Sequence, residues 1–438
     1  MLNPVKVGIL GLGTVGGGTV HVLQKNAEEI ARRAGRAIIV THACAKELNK
    51  THPYSTENMV LTDQLNEVVS NPEIDIVIEL LGGTTIAREM TLQAIKNGKH
   101  IVTANKALIA NHGNEIFAAA QEKGVMVAFE AAVGGGIPII KAVREGLAAN
   151  KIQWIAGIIN GTSNFILTEM RDKGSKFADV LAEAQRLGYA EKDPTFDIEG
   201  VDAAHKLTIL ASLAFGIPLQ FDKVYMEGIT KITPEDVQYS EELGYKIKHL
   251  GITRRTDKGI ELRVHPTFIP NKRLLANVEG VMNAVLVQAD ALGPSLYYGA
   301  GAGALPTGSA IIADLVDVTR TLTTDPGNRV PHLAFQSNAL ADLPILPIDE
   351  IETSYYLRMS ALDKLGVMAQ VTNILMENAI SIEAIIQKEP NSDTNQVQVV
   401  MLTHKVVEKQ VNKAIQAIEQ LDSITGQVTR IRVEMLKG

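Results

Sequence analysis

An apolar run, Val5-Lys6-Val7-Gly8-Ile9-Leu10, leads straight into Gly11-Leu12-Gly13-Thr14-Val15-Gly16, and an amphipathic segment follows from Val15 to about Arg33. No other feature restricts the fold as much. A continuous β-branched run reads as a parallel strand buried on both faces. A G-x-G-x-x-G pattern is weak by itself but specific when it joins a strand to a helix. Gly11 allows the tight turn, Gly13 lets the backbone approach a pyrophosphate, and Gly16 lets the helix close on the strand. The N–H groups of this turn, with Leu12, Thr14 and Val15 in the same contact set, and the helix dipole meet the phosphate charge. The second strand starts at Ala37 and closes in Ala45-Lys46-Glu47, with Lys50 nearby. An acid at that point binds the ribose hydroxyls of NAD, and a cation accepts the 2′-phosphate of NADP. The signal here is mixed and leans to NADP, with Lys46 as the contact.

Strand and helix continue to alternate, with strands expected over residues 73–81, 99–106 and 125–133. Loops after parallel strands face the cofactor crevice, so Gly82, Gly83, Asn105 and Lys106 are expected to line it. Gly134-Gly135-Gly136-Ile137-Pro138 breaks the alternation and marks a hinge. Beyond it come a long strand ending in Asn160-Gly161-Thr162, two helices, an acidic loop and a lysine-bearing helix. Short strands then alternate with turns from about Lys246 to Tyr298, which suggests a mostly antiparallel sheet with helices on one face. A helix from about Thr307 is placed to pack back on the first domain and close its cofactor site. Residues 324–350 are rich in Pro, Asn and Asp and read as a linker. The last stretch reads βαββαβ, a ferredoxin-like unit.

The expected fold class is therefore α/β. Residues 1–135 plus about 300–323 form a Rossmann-type dinucleotide-binding domain. Residues 136–299 form an α+β substrate and oligomerisation domain with a mostly antiparallel sheet. Residues 351–438 form the ferredoxin-like domain.

A chain of 438 residues suits two or three domains. Its net charge of -7 and lack of a basic cluster point away from nucleic acid. The single cysteine, Cys44, excludes a disulfide framework and a Cys-based zinc site. The longest charge-free run, residues 291–313, is broken by glycine and proline and is no membrane span. The N-terminus enters a strand at once, with no room for a signal peptide. A cytoplasmic protein is the expectation.

The chemistry concentrates in residues 182–206, where Glu191, Asp193, Asp197, Glu199, Asp202 and Lys206 crowd together. Asp202 and Lys206 are four apart at the start of a helix, so an acid and an amine share one face. Carboxylates hold an ammonium and the amine handles a proton, as a small amino-acid-like substrate requires. The plainer alternative is a solvated acidic loop with a weak surface ion pair.

The pattern Ala184-x-x-x-Gly188-Tyr189-Ala190-Glu191-Lys192-Asp193-Pro194-x-x-Asp197-Ile198-x-Gly200-x-Asp202-x-x-x-Lys206 resembles the signature of homoserine dehydrogenases in full. The resemblance extends to GLGTVG, VTANKALIA, INGTSNFIL and LPTGSAIIADLV, in the family's order along nearly the whole chain. The C-terminal unit resembles an ACT domain, and the start at the cofactor strand resembles the monofunctional members.

The resemblance implies reversible, NAD(P)H-dependent reduction of L-aspartate 4-semialdehyde to L-homoserine, in threonine, methionine and isoleucine biosynthesis. It assigns proton transfer to Lys206 with Lys106, and Asp202 as the group that holds Lys206. A lysine serves when burial and a neighbouring cation ease the loss of its proton. It gives Glu191 and Asp197 the substrate ammonium, and Gly161 and Thr162 the carboxylate end. It adds Gly308 to the cofactor contacts. It implies a sodium ion on Glu130, Val133, Gly135 and Ile137, mainly through carbonyls, a homodimer or homotetramer, and feedback by L-threonine. One departure bears on the last point. ACT domains often carry Asp-x-Pro-Gly before their first helix, and this chain has Asp363-Lys364-Leu365-Gly366.

Two rival readings remain. A phosphorylating semialdehyde dehydrogenase needs a cysteine nucleophile, and Cys44 lies in the second strand, away from the acidic segment. A non-catalytic NADPH or amino-acid sensor would bind without turnover, but it would not need the acidic loop and both lysines.

Overall fold

The structure, a computed structural model, describes residues 3–48, 54–389 and 395–437. Strand β1 (Val5–Leu10) is followed by helices α1 (Thr14–Lys25) and α2 (Ala27–Ala34). The segment expected as one amphipathic stretch is two helices, because Asn26 leaves helical space at φ -113 and ψ 22. Then come β2 (Ile38–Cys44), β3 (Val60–Thr62), α3 (Leu65–Val69), β4 (Ile76–Glu79), α4 (Thr85–Lys96), β5 (His100–Thr103), α5 (Lys106–Lys123) and β6 (Val127–Ala128). All six strands are parallel, in the order β3-β2-β1-β4-β5-β6. The chain moves outward one way from β1 and the other way from β4. The crevice for a dinucleotide therefore opens at the carboxyl ends of β1 and β4.

Three expected strands are shorter in the structure, the one expected over 73–81 covering only Ile76–Glu79. The strand expected over 99–106 stops at Thr103, because the Asn105 side chain accepts from Leu108 N and caps α5. Lys106 is thus the first residue of a helix and not a loop residue. The strand expected over 125–133 is only Val127–Ala128. Beyond it the Glu130 N–H donates to the Asp314 carboxylate at 2.7 Å instead of extending the sheet.

The chain continues through α6 (Ile139–Lys141), β7 (Ile152–Ile158), α7 (Gly161–Lys173), α8 (Phe177–Arg186), α9 (Thr195–Ile198), α10 (Val201–Phe215), β8 (Tyr225–Met226) and α11 (Pro234–Glu242). It then forms β9 (Tyr245–Arg255), β10 (Ile260–Pro270), β11 (Met282–Ala289), β12 (Gly293–Ala300) and α12 (Ala304–Thr321). The C-terminal part holds β13 (Glu352–Leu362), α13 (Val367–Glu377), β14 (Ile382–Gln387), β15 (Gln396–Thr403), β16 (Val406–Val407), α14 (Glu408–Glu419) and β17 (Ile424–Val433). Among the described residues no helix is long and apolar enough to cross a membrane.

Contacts divide the chain into two interleaved units, the first made of residues 1–161, 202–224 and 281–343. Its core joins Val7, Ile9, Ile76, Ile78 and Val102 of the parallel sheet to Ile311 and Leu315 of α12. α12 lies directly on α1: a Cβ added to Gly18 would sit 2.3 Å from the Ala304 carbonyl oxygen. In the same unit β11 pairs antiparallel with β7 on one side and β12 on the other.

The second unit holds residues 162–201, 225–280 and 344–438. β9 and β10 pair antiparallel along their whole length, β10 joins β17 in parallel, and the order continues β17-β13-β15-β14. The expected βαββαβ order of a ferredoxin-like unit is present, with the two-residue β16 added before α14. Its two helices bury Val371 and Leu375, and Val411, Ala414 and Ile418, at the spacing of one helical face. Arg263, with its side chain 1% exposed, is held between Glu261 and Glu434 and ties β10 to the chain just past β17. Such a buried ion set costs desolvation and fixes register.

Candidate active site

The glycine turn is built for an anion. Gly11 takes φ 103, and a Cβ there would fall 2.6 Å from the Leu80 carbonyl oxygen. A side chain on Gly16 would meet the Gly11 carbonyl at 2.4 Å, whereas one on Gly13 would meet nothing within 4 Å. The open space therefore lies over Gly13, at the start of α1, where no side chain caps the helix. The first amides of a helix without a capping side chain, facing open space, fit a pyrophosphate. Gly11 and Leu12 do not add their own amides, since both N–H groups donate to the Cys44 carbonyl at 3.1 Å. Thr14 and Val15 are the first residues of α1. Lys46 is exposed just past β2, and Lys50 lies outside the described residues. Gly308 sits in α12 against α1, where a Cβ would come within 2.9 Å of Thr19 N, so helix packing uses its small size.

At the ends of β4 and β5 a fully buried carboxylate organises two turns. Glu79 accepts from Leu81 N at 2.8 Å and from the Thr103 hydroxyl at 2.6 Å. Thr103 Oγ1 in turn accepts from Asn105 N, and Asn105 Nδ2 donates to the Gly83 carbonyl. Gly82, Gly83, Asn105 and Lys106 are thus held together at the crevice. Burial pushes the Glu79 carboxyl above its ordinary range, against the pull of these hydrogen bonds.

Lys106 and Lys206 converge on Asp202. Lys106 Nζ lies 3.1 Å from Oδ1, and Lys206 Nζ lies 2.6 Å from Oδ2 one helical turn away. Asn160 Nδ2 also donates to Oδ2, at 2.9 Å, and Lys206 Nζ donates to the Ile159 carbonyl at 2.7 Å. The Asp202 side chain is 6% exposed, that of Lys206 11% and that of Lys106 37%. Burial works against ionising Asp202, but Lys206, Lys106 and the hydrogen bonds from Lys206 and Asn160 outweigh it. The carboxyl stays well below its usual range. The surface-pair alternative is excluded by this burial. One carboxylate sits between the two lysines and offsets their repulsion.

Around this set, His205 Nε2 meets Asn111 Nδ2 at 3.2 Å and its ring stacks on Phe221 at 4.2 Å. Burial first, and then Lys106 and Lys206, push His205 down to about 4, against the pull of Asp202, so it is neutral near pH 7. Asn114 both donates to and accepts from the Leu219 backbone. The helix that starts at Lys106 is thereby pinned to the segment that carries Lys206.

In the second unit the acidic loop is tied to α7. Thr162 Oγ1 donates to the Tyr189 carbonyl at 2.8 Å and Ser163 Oγ to the Asp197 carbonyl at 3.1 Å. Glu191 is exposed and Asp197 half-buried. Gly161, counted with the first unit, packs so closely that a Cβ would fall 2.7 Å from the Val281 carbonyl oxygen. At the hinge, the Glu130 carboxylate accepts from the Ile140 and Lys141 amides and is pushed up to about 7 by burial and by Asp314. Gly135 takes φ 55 beside Val133 and Ile137. Among the described residues no three carboxylate, histidine or cysteine side chains gather to hold a metal.

Sequence reasoning passed over Asn160 and Glu79. Asn160 directly precedes the Gly161-Thr162 turn that had been singled out. Glu79 is the one charged residue in β4, an otherwise apolar strand, and an acid in such a position needs partners.

An open glycine turn after the first strand of a parallel sheet, with two lysines gathered on one buried carboxylate in the same unit, fits the class of nicotinamide-dinucleotide-dependent dehydrogenases. The comparisons narrow the class. The homoserine dehydrogenase family matches residues 138–316, its NAD-binding domain residues 11–130, and the ACT domain residues 355–423. Homoserine dehydrogenase of Pseudomonas aeruginosa is 64% identical over 435 residues, covering 99% of this chain and 100% of that protein. The crystal structure of a homoserine dehydrogenase from Thiobacillus denitrificans shares 63% identity and superposes with TM-score 0.95, covering 99% of each chain. A hyperthermophilic archaeal homoserine dehydrogenase in complex with NADPH superposes with TM-score 0.61 at 26% identity, over 72% of this chain and 98% of that one. The chain belongs to the homoserine dehydrogenase family: it is an oxidoreductase with a nicotinamide dinucleotide cofactor and a C-terminal ACT domain.

Proposed function

We propose that this enzyme interconverts L-aspartate 4-semialdehyde and L-homoserine with NADP(H), in threonine, methionine and isoleucine biosynthesis, under feedback by L-threonine. The observation that carries the reading is the Lys106–Asp202–Lys206 set. The cofactor, when bound, supplies or accepts the hydride at the carbonyl carbon. Reduction leaves an alkoxide that needs a proton. Lys206 spends two N–H groups on Asp202 and Ile159, and its remaining N–H donates to the alkoxide. Lys106, more exposed on the same carboxylate, orients the oxygen and shares the proton. In the reverse direction the lysine takes the alcohol proton, with Asp202 steadying the ammonium that forms. Asp202 therefore positions Lys206 and keeps the cations together.

Glu191 and Asp197 take the substrate ammonium. Gly161 and Thr162, at the start of α7, take its carboxylate, as helix N-termini do. Gly11 to Gly16 hold the pyrophosphate, Gly82 and Asn105 border the nicotinamide, and exposed Lys46 favours the 2′-phosphate of NADP. A sodium ion at residues 130–137 is part of the reading. The turn offers carbonyls, which suit a hard monovalent cation, and Glu130 would contribute its carbonyl because its carboxylate is engaged. Assembly as a dimer or tetramer finds support in β12, an edge strand with Tyr298 58% exposed. A cytoplasmic location follows from the need for the cell's nicotinamide pool. Feedback finds support at Gly366, which takes φ 89 before α13 with nothing within 4 Å of an added Cβ, so a ligand can approach the backbone.

The test is homoserine-dependent reduction of NADP and of NAD, with Lys206→Ala alongside and L-threonine titrated in. Turnover that falls about a hundredfold or more in the variant, the scale of a lost acid/base, and that threonine inhibits, is the expected result. Binding of cofactor without turnover by the wild type would replace this reading with that of a sensor.

A further inference from the structure

The first unit holds a cavity of about 690 Å³ that the catalytic reading leaves unused. α5 starts at Lys106 beside the crevice and runs back along the sheet, as a helix after a parallel strand must. Its second half therefore reaches the opposite edge of the sheet. There Asn114, Phe117, Ala118 and Gln121 form one wall, and the chain from Pro326 to Leu340 forms the other. The volume falls within the range of small-molecule sites.

Its chemistry is selective. Apolar surface comes from Phe117, Met126, Leu333 and Phe335. Arg329 is the one ionised lining residue and no carboxylate lines the cavity, in a chain of net charge -7. The guanidinium is fixed from behind: Nη1 donates to the Gly124 carbonyl at 2.8 Å and Nη2 to the Thr324 carbonyl at 3.1 Å. Carbonyls orient a guanidinium without neutralising it; Asp325 acts on its charge from a distance, and among the described residues no carboxylate pairs with it within salt-bridge distance. His332 stacks on Phe117 with centroids 5.0 Å and planes 7° apart. Its Nε2 accepts from the Val127 N–H at 3.2 Å, so a neutral ring carries its proton on Nδ1. Gln121 Nε2 and Ser337 Oγ, 2.9 Å apart, hold the two walls together.

We propose that this cavity binds a small amphipathic monocarboxylate, an arylalkyl or branched-chain acid, with its carboxylate on Arg329 and its apolar body against Phe117 and Phe335. A bound carboxylate supplies the direct contact that distant Asp325 does not, in the bidentate geometry a guanidinium favours. The apolar part covers the Phe335 ring, which is 39% exposed, beside buried Phe117. The assignment does not depend on the identity of the catalytic substrate.

The test is calorimetric titration of the full chain with 3-phenylpropionate, with NADPH present at saturation to occupy the nucleotide crevice. The expected result is one site per chain. Arg329→Met, and separately the neutral probe 3-phenylpropionamide, each weaken binding about tenfold or more, the scale of a lost charge-assisted hydrogen bond. Ala118→Trp, at an exposed helix position on the cavity wall, abolishes binding. Melting curves matching the wild type separate these effects from unfolding. Absence of wild-type binding at millimolar probe, or equal binding by both variants, overturns the proposal. An assembly that falls apart in Arg329→Met, with no acid bound by the wild type, would also overturn it and give the cavity to a carboxylate of a second copy.

Discussion

Replacing Asp202 with Asn keeps the shape of the side chain and removes its charge. Three donors converge on this group: Lys206 Nζ at 2.6 Å, Asn160 Nδ2 at 2.9 Å and Lys106 Nζ at 3.1 Å. An amide offers one oxygen where the carboxylate offered two, and its NH₂ faces a donor. Two ammonium groups then surround no anion. Removing one partner of a buried ion pair costs about 3–5 kcal/mol. Lys106 is 37% exposed and water screens its share, so about 3 kcal/mol is expected. Trp154, the only tryptophan, is buried in β7 of the same unit, and its fluorescence in a urea titration reads the loss.

The pH dependence has a definite sign. The folded Asp202 carboxyl lies well below its unfolded value of about 3.9, so its contribution is complete above that pH and is lost as pH falls through the folded value. The gap between wild type and Asp202→Asn should therefore hold from about pH 5 to 8 and shrink below about pH 4. Turnover should fall about a hundredfold, because Lys206 loses the group that aims it. A stability gap below about 1 kcal/mol, or activity within about threefold of wild type, would refute the view that one carboxylate organises both lysines.

Glu79→Gln should loosen the Gly82-Gly83 turn and the start of α5 together. Thr103→Val breaks the same line of hydrogen bonds, so the two losses in kcat/KM should fail to add, with a coupling of about 1 kcal/mol in a double-mutant cycle. Gly18→Ala puts a Cβ 2.3 Å from the Ala304 carbonyl and must push α1 from α12. Thermal melting should show a loss of about 1–3 kcal/mol, with weakened cofactor binding by fluorescence titration. Acid should destabilise the first unit through His100 and His332, both pushed down to about 4, chiefly by burial and secondarily by the neighbouring arginines. Each depressed group contributes stability that is whole above its unfolded value of about 6.5 and lost as pH falls toward 4, by up to about 1.4 kcal/mol per pH unit. Urea midpoints read from Trp154 at stepped pH check this, and a flat profile would contradict it.

Local patterns carry their meaning in adjacent residues, and those were legible without coordinates. The run from Val5 to Gly16 specifies a strand, a turn and a helix because each residue's role there depends on its own backbone and its neighbours. The four-residue spacing of Asp202 and Lys206 put an acid and an amine together for the same reason, and the βαββαβ order announced the C-terminal domain. What required the tertiary structure was every relation between distant segments. Lys106 lies 96 positions before Asp202, and only the packing of α5 by Asn111 and Asn114 brings its amine to that carboxylate. Lys106 opens a helix because a cap at Asn105 competes with strand extension, and propensity alone does not decide that contest. The burial of Asp202, which turns a weak surface pair into a strong internal one, depends on segments that spacing does not reveal. The same holds for Glu79, whose partners come from two different turns. The cavity beside Arg329 follows this rule too, since its walls are more than 200 residues apart in the chain and meet only when Gln121 reaches Ser337, 216 positions later.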